Sequence, residues 1–428
     1  MINTFDSKDY KRSRGAYIGQ CTFEYFISLF VADAFLAKLL TNIGLRDSLI
    51  GIISSFVTLA FLFQLLSIVI ANKIKSTKRV VIIFETVCNL LFFTLYTIPF
   101  MPFTTEVKTT IVILSVIFAY ISKYLVASIL FKWANGYVEP SKRGRYSAVK
   151  EMISLITGIV FTLSTGYIID QYEALGNIKG GFIFISISIL VLSICNFVSL
   201  LLIKDEKKEI TNTNKPKAKD IIKNTLGNKN FVNITFALVL WDIARYLTIG
   251  FLGTFKTKEL LLSVGAVQVI NMVANLIRLS ISLPFGKYSD KYSFASGLKL
   301  AYIIVAIGFL MIAFTTSKTW WFIILYTILF NVSLAGSNQN ASNITYSYVK
   351  NEYFVHATAI KNSISGILGF GASLVGSKIL SHIQANGNTF FGVPVYGQQV
   401  LGAISFVIMI VDILFIHFVI EKQKVMVQ

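Results

Sequence analysis

Long apolar runs separated by short polar breaks dominate the chain. A membrane's hydrocarbon core of roughly 30 Å takes about 20 apolar residues in helical form. Runs of that length, bounded by charged or turn residues, fall near 17–40, 48–72, 79–100, 108–132, 147–170, 181–204, 231–255, 262–286, 296–315, 319–345, 359–382 and 399–420. The pattern predicts an all-α membrane protein of about twelve transmembrane helices. One long polar stretch, Asp205 to Lys229, is rich in Lys, Asn and Thr. It divides the chain into two six-helix halves, 1–204 and 231–428, joined by a linker at 205–230 that reads as a solvated tether, with a short interfacial helix near Asp220 to Leu226. Sliding the second half over the first by about 216 residues brings Phe35-Leu36-Ala37 onto Phe251-Leu252-Gly253, Thr41 onto Thr257 and Lys75 onto Lys291, an internal repeat of constant offset.

Composition agrees. Hydrophobic residues make up 55% and charged residues 14% of the 428, and the mean hydropathy of +0.69 excludes an ordinary soluble domain. The formal net charge is +18, and its placement is informative. Lys8, Lys11, Arg12 and Arg14, then Lys73, Lys75, Lys78 and Arg79, then Lys142, Arg143 and Arg145 occupy alternate loops, whereas the intervening loops are near neutral. By the positive-inside rule both termini are expected in the cytoplasm of a multi-pass plasma-membrane protein. The charges flank spans and form no continuous face, so no nucleic-acid partner is expected; lipid is, and the expected state is a monomer. The basic amino terminus precedes a long run containing Glu24 and Asp33 without a small-residue cleavage site, and reads as a retained first helix. Cys21, Cys88 and Cys195 fall in different apolar spans and imply no disulfide.

A charge at the bilayer centre costs about 2.5 to 3.5 kcal/mol on insertion scales, so each intramembrane ion is a functional candidate. Glu24, Asp33, Glu85, Lys123, Asp242, Arg245, Arg278 and Asp412 qualify, with Lys123, Asp242, Arg245 and Arg278 near mid-span. In the seventh span Asp242 can pair with Arg245 one turn on, and Trp241 and Tyr246 are candidates to stack on a bound ring. In the eighth, Gln268, Asn271, Asn275, Arg278 and Ser282 recur at three and four residues, a polar face that lipid could not cover. The first span carries Tyr17, Gln20, Glu24 and Ser28 on one face, the fourth Tyr120, Lys123, Tyr124 and Ser128, the tenth Asn331, Asn338, Gln339, Asn340 and Ser342. Substrate contacts are expected from Gln20, Lys123, Tyr124, Trp241, Arg245, Asn271, Asn275, Arg278, Asn331 and Asn338. Proton coupling is expected at Glu24, which has no basic residue within one turn, and at Asp242. A salt bridge from Glu24 to Lys123 or Lys132 is the competing expectation. His356, His382 and His417 are scattered, no Walker loop occurs and no nucleophile has a base at suitable spacing, so no metal, cofactor or enzymatic activity is expected.

Between the eighth and ninth spans the chain reads Gly286-Lys287-Tyr288-Ser289-Asp290-Lys291. This resembles the Gly-x-x-[Ser/Ala]-Asp-[Arg/Lys] cytoplasmic loop of the major facilitator superfamily, and Arg143-Gly144-Arg145 occupies a position where that family places an Arg-Gly-Arg-like loop. The matching first-half segment, Ile70 to Lys75, keeps the final base but lacks Gly and Asp. Tyr396-Gly397-Gln398-Gln399 and Glu421-Lys422-Gln423-Lys424 are similar to uncharacterised Gram-positive bacterial members. The resemblance implies two pseudo-symmetric six-helix halves and transport by alternating access, with Gly286, Asp290, Lys291, Arg143 and Arg145 as gating residues. Gly286 would let helices approach closely, Asp290 would meet unpaired helix-terminal N–H groups and Lys291 would balance its charge. Amides, hydroxyls, aromatics and opposed charges suit a sugar- or glycoside-like solute moved by proton symport. Lys123 with Arg278 would equally suit an organic anion. A drug/proton antiporter is disfavoured because the fifth span lacks the Gly-Pro motif, and a transporter-like sensor that moves nothing stays open.

Overall fold

Side-chain caps written into the sequence decide where the helices begin. The computed structural model describes residues 7–64, 66, 76–139, 143–205, 225–349 and 353–423, with the side chains of 143–145, 147–148, 339, 346 and 354–355 outside the described set. Ser7, Ser76, Thr104, Asn177, Asn228 and Ser293 each accept a backbone N–H of the first helical turn, as an N-cap should. The helices so started are α1 (Lys8–Phe30), α5 (Thr77–Thr97), α6 (Thr105–Asn135), α8 (Ile178–Leu202), α9 (Lys229–Thr248) and α11 (Phe294–Ala313). Between and after them lie α2 (Asp33–Asn42), α3 (Asp47–Ser54), α4 (Phe56–Ala60), α7 (Arg143–Ala174), α10 (Val264–Lys291), α12 (Phe322–Tyr348), α13 (Phe354–Ala385) and α14 (Gly397–Phe415). A two-residue hairpin, β1 (Thr389–Phe390) and β2 (Val393–Pro394), joins α13 to α14, where Gln399 accepts the Tyr396 N–H at 2.8 Å.

Among the described residues ten helices are long and apolar enough to cross a membrane. They correspond to the third through twelfth expected spans. The first span differs: it begins at Lys8, well before residue 17, and breaks at Val31–Ala32, after which Asp33 adopts a positive φ of 44°. The second is a broken run, α3, α4 and a single 3₁₀ turn at Phe61–Phe63, before the described residues stop. The linker between 206 and 224 and the whole Ile70 to Lys75 segment lie outside the described residues.

Two compact units form. The first comprises Met1–Arg46, Ala60–Thr211 and Ser263–Gln268. Here α1 packs on α7 and α8, and α5 on α6 and α8. Its core gathers Tyr17, Val81, Val126, Trp133, Tyr137 and Leu200. Asp170, near the end of α7, accepts from Ser263 Oγ at 2.8 Å and the Gly265 N–H at 2.9 Å, which caps the start of α10 from another helix.

The second unit comprises Asp47–Leu59, Asn212–Leu262 and Val269–Gln428. There α11 packs on α12 and α14, and α9 on α13 and α14, around Trp241, Tyr302, Phe309, Phe330 and Met409. The segment from Asp47 packs on α13 and on the residues just after α9, and a Cβ on Gly51 would lie 1.9 Å from Phe251. Asp47 is also bonded to Lys258 and, at 3.1 Å, to Gln384.

At the chain's far end Glu421 accepts from Lys299 at 2.7 Å, His417 at 2.8 Å and Ser296 at 2.9 Å. Burial alone would raise the Glu421 carboxyl, but these three donors outweigh it and hold it below the ordinary carboxylate range. A lowered folded-state value stabilises the protein at neutral pH, and that contribution vanishes as pH falls through it. Glu421→Gln is therefore expected to lower the melting temperature at pH 7 by an amount matching about 1 kcal/mol or less and to flatten its decline with acid. A difference from wild type that grows as pH drops would contradict this.

Candidate functional site

In the first unit, positions 20 and 24 of α1 lie one turn apart and face α6. The Gln20 amide donates to Glu24 Oε2 at 2.9 Å, and Lys123 Nζ meets Glu24 Oε1 at 2.6 Å. Gln20 is fully buried, so it braces the carboxylate from behind and offers a bound molecule no surface of its own. The pair keeps about a fifth of each side chain exposed, 20% for Lys123 and 23% for Glu24. Glu24 is thus not an isolated carboxylate. Of the two expected partners the structure selects Lys123; Lys132 is exposed. The absence of a base within one turn, the reason for singling out Glu24, misled because the base comes from another helix.

Around this pair stand groups the spacing did not bring together. Glu85 of α5 is buried within electrostatic reach of Glu24 and Lys123, and makes no ion pair or hydrogen bond among the described residues. Lys150 of α7 lies 4.7 Å over the Tyr17 ring and acts on Glu24 as well. Tyr124 meets Phe61 edge-on at 4.9 Å. Two carboxylates and two ammonium groups from four helices therefore share one polar locus in the first unit.

The second unit holds a different cluster. Arg245 lies over the rings of Tyr246 at 4.9 Å and Phe330 at 5.9 Å. Lys361, two turns into α13, is influenced by Asp242 and by Arg245. Lys361 was not among the sequence candidates; it lies at the third position of the expected span 359–382, whereas α13 starts at Phe354 and places it two turns inside the helix. Trp241 departs from expectation. It stacks with Tyr302 at 5.3 Å and Phe330 at 5.9 Å and is 6% exposed, so its aromatic surface is committed to the unit's core and is not open to a bound ring. Tyr246 is equally buried. Asp412 of α14, fully buried, leaves both carboxylate oxygens without a partner among the described residues.

The polar face of α10 survives. Gln268 is buried in the first unit; Asn271, Asn275, Arg278 and Ser282 are half-buried in the second, while Val269, Val273, Leu276 and Leu283 carry the exposed face. Asn331 of α12 donates to its own helix at Thr327, and Asn338 is exposed. The Gly286 to Lys291 motif is no loop: α10 continues through Lys291, and the next helix is capped by Ser293, not Asp290. Lys291 lies 5.3 Å over the Tyr292 ring and does not pair with Asp290. Arg143 and Arg145 open α7, and their side chains lie outside the described set.

Broken apolar helices with ionisable groups inside them, in two units, define a polytopic transporter-type membrane protein. Residues 19–374 match the Major Facilitator Superfamily, and the chain belongs to that family of transporters. Its fold is similar to that of the nucleoside transporter NupG, with 12% identity, a TM-score of 0.70 and coverage of 98% of this chain and 100% of that one. It is similar also to PepTSo of the POT family, at 8% identity, TM-score 0.69 and coverage of 95% and 97%. A bacterial homologue of the iron transporter ferroportin, in its inward-facing state, gives 13% identity, TM-score 0.67 and coverage of 97% and 99%. No sequence among curated proteins matches the chain.

Proposed function

We propose that the protein is a secondary active transporter that carries a small polar, sugar- or glycoside-like solute across the plasma membrane by alternating access, coupled to protons, with both termini cytoplasmic. The observation that carries the reading is the Glu24–Lys123 pair with Gln20 behind it and Glu85 beside it. Protonating Glu24 would release Lys123, which then needs another acceptor, either Glu85 or a hydroxyl or carbonyl of the solute. One proton and one solute can thus be exchanged at the same ammonium group. Neighbours whose names speak of nucleosides, peptides and iron share the fold, so the fold selects no substrate.

Reconstituted protein under an inward proton gradient is expected to accumulate a hydroxylated solute, and Glu24→Gln to abolish accumulation while leaving exchange. Accumulation in Glu24→Gln equal to wild type would refute the coupling. A second reading, an organic-anion carrier, draws on two cations, Arg245 and Lys361, with Lys361 within electrostatic reach of both Arg245 and Asp242. Gradient-driven uptake confined to carboxylates or phosphates, and lost in Lys361→Ala, would select it.

A further inference from the structure

A cavity of about 540 Å³ opens at the Lys291 end of α10, wholly within the second unit, among α10, the first turn of α11 and the last turns of α12. Its size falls in the range of small-molecule sites. Its polar lining is Ser289 and Asp290 from α10 and Asn338, Asn340, Ser342 and Asn343 from α12. Among the described residues no lysine or arginine lines it, although this chain carries 39 of them against 21 acids.

The hydrogen bonds of these groups decide what the cavity can receive. Ser289 Oγ donates to Phe285 O at 3.0 Å, Ser342 Oγ to Asn338 O at 3.2 Å, and the Asn340 amide to Gly336 O at 2.8 Å. Those donors are spent on their own helices. Left over are acceptors, together with the side-chain amides of Asn338 and Asn343, which make no hydrogen bond among the described residues. Asn340, 2% exposed, has its Oδ1 without a partner among the described residues, and the Asp290 carboxylate makes no ion pair or hydrogen bond among them. Lys291, the nearest base in sequence, is turned onto Tyr292. A buried acceptor left unmade is unfavourable by about 1 to 3 kcal/mol, so the complement of this surface is a molecule rich in donors.

We propose that this cavity binds a small hydroxylated solute bearing a protonated amine, of the amino-sugar class. The ammonium pairs with Asp290, the hydroxyls donate to Asn340 and the serine oxygens, and the free amides of Asn338 and Asn343 donate to the solute's oxygens. The site shares no residue with the Glu24–Lys123 and Arg245–Lys361 clusters, and its assignment does not depend on how transport is driven. It also disfavours anions, because the one formal charge on its wall among the described residues, that of Asp290, is negative.

Calorimetric titration of the purified full-length protein with glucosamine, glucose and gluconate tests this. Glucosamine is expected to bind about tenfold more tightly than glucose, gluconate not at all, with the preference weakened by added salt. Asp290→Asn, at an exposed position where folding is not at stake, should erase the preference; Asn343→Ala, also exposed, should weaken both sugars. Glucosamine affinity unchanged in Asp290→Asn, gluconate binding as tightly as glucosamine, or no binding of any probe overturns the assignment. Glucosamine binding lost in Glu24→Gln and intact in Asp290→Asn also overturns it, and leaves the proton-coupled reading standing.

Discussion

Lys123→Ala is expected to lose solute transport by at least about a hundredfold and to lower stability by about 3 kcal/mol, the lower end of what stripping a partner from a buried charge does. The reason lies on the other side of the pair. Glu24 would remain on α1 with Gln20 as its remaining hydrogen-bonded neighbour, and with Glu85 opposing and Lys150 favouring its charge, in a largely buried setting where an ionised carboxylate is poorly solvated. The Glu24→Ala/Lys123→Ala double variant should therefore be more stable than Lys123→Ala alone, while remaining inactive. Chemical denaturation of the three proteins in one detergent reads the coupling directly. Additive losses would mean that the 2.6 Å contact contributes nothing to the fold.

Trp241→Ala should be the most destabilising single substitution in the second unit, by about 3 to 5 kcal/mol, because it removes a large ring from a close-packed aromatic core. Tyr302, Phe309 and Phe330 all have rings within 6.5 Å of it. Trp241→Phe should recover most of the loss. The measurement that separates a packing role from a binding role is substrate affinity in Trp241→Phe: unchanged affinity with a lowered melting temperature is expected, and a selective loss of affinity at unchanged stability would return this ring to the binding site.

The sequence made the helices legible because apolar length is a one-dimensional signal. From the third onward, each expected span coincides with a helix apart from shifts of a few residues, mostly at ends where Ser, Thr and Asn caps extend them into polar sequence. What it hid was held in three dimensions. The break after Phe30 carries no Gly or Pro; it is fixed by Asp33 in a backbone conformation unusual for that residue. The Glu24–Lys123 contact joins residues 99 apart in sequence, so charge spacing along one helix could never report it. Lys361 went unnamed because the expected span began at 359, not at Phe354, and Trp241 misled by chemistry, since a ring that can stack on a ligand can stack equally well on its neighbours. The Asp290 motif was found but given the wrong geometry, because a serine three residues later takes the capping role.

The exchange of short segments between the units has a consequence for how the protein is made. Asp47–Leu59 belongs to the second unit although it is synthesised some two hundred residues before most of it, and Ser263–Gln268 belongs to the first. During translation the face of α3 around Gly51 waits for Phe251, and the Asp170 carboxylate waits for the amide of Gly265. Neither unit can close until the chain has passed the linker, so insertion of the first helices and completion of the first unit are separate events in time. The late packing of Gly51 and capping by Asp170 are then a timer, and a chaperone or translocon that holds early helices has a defined interval, set by chain length, over which to hold them.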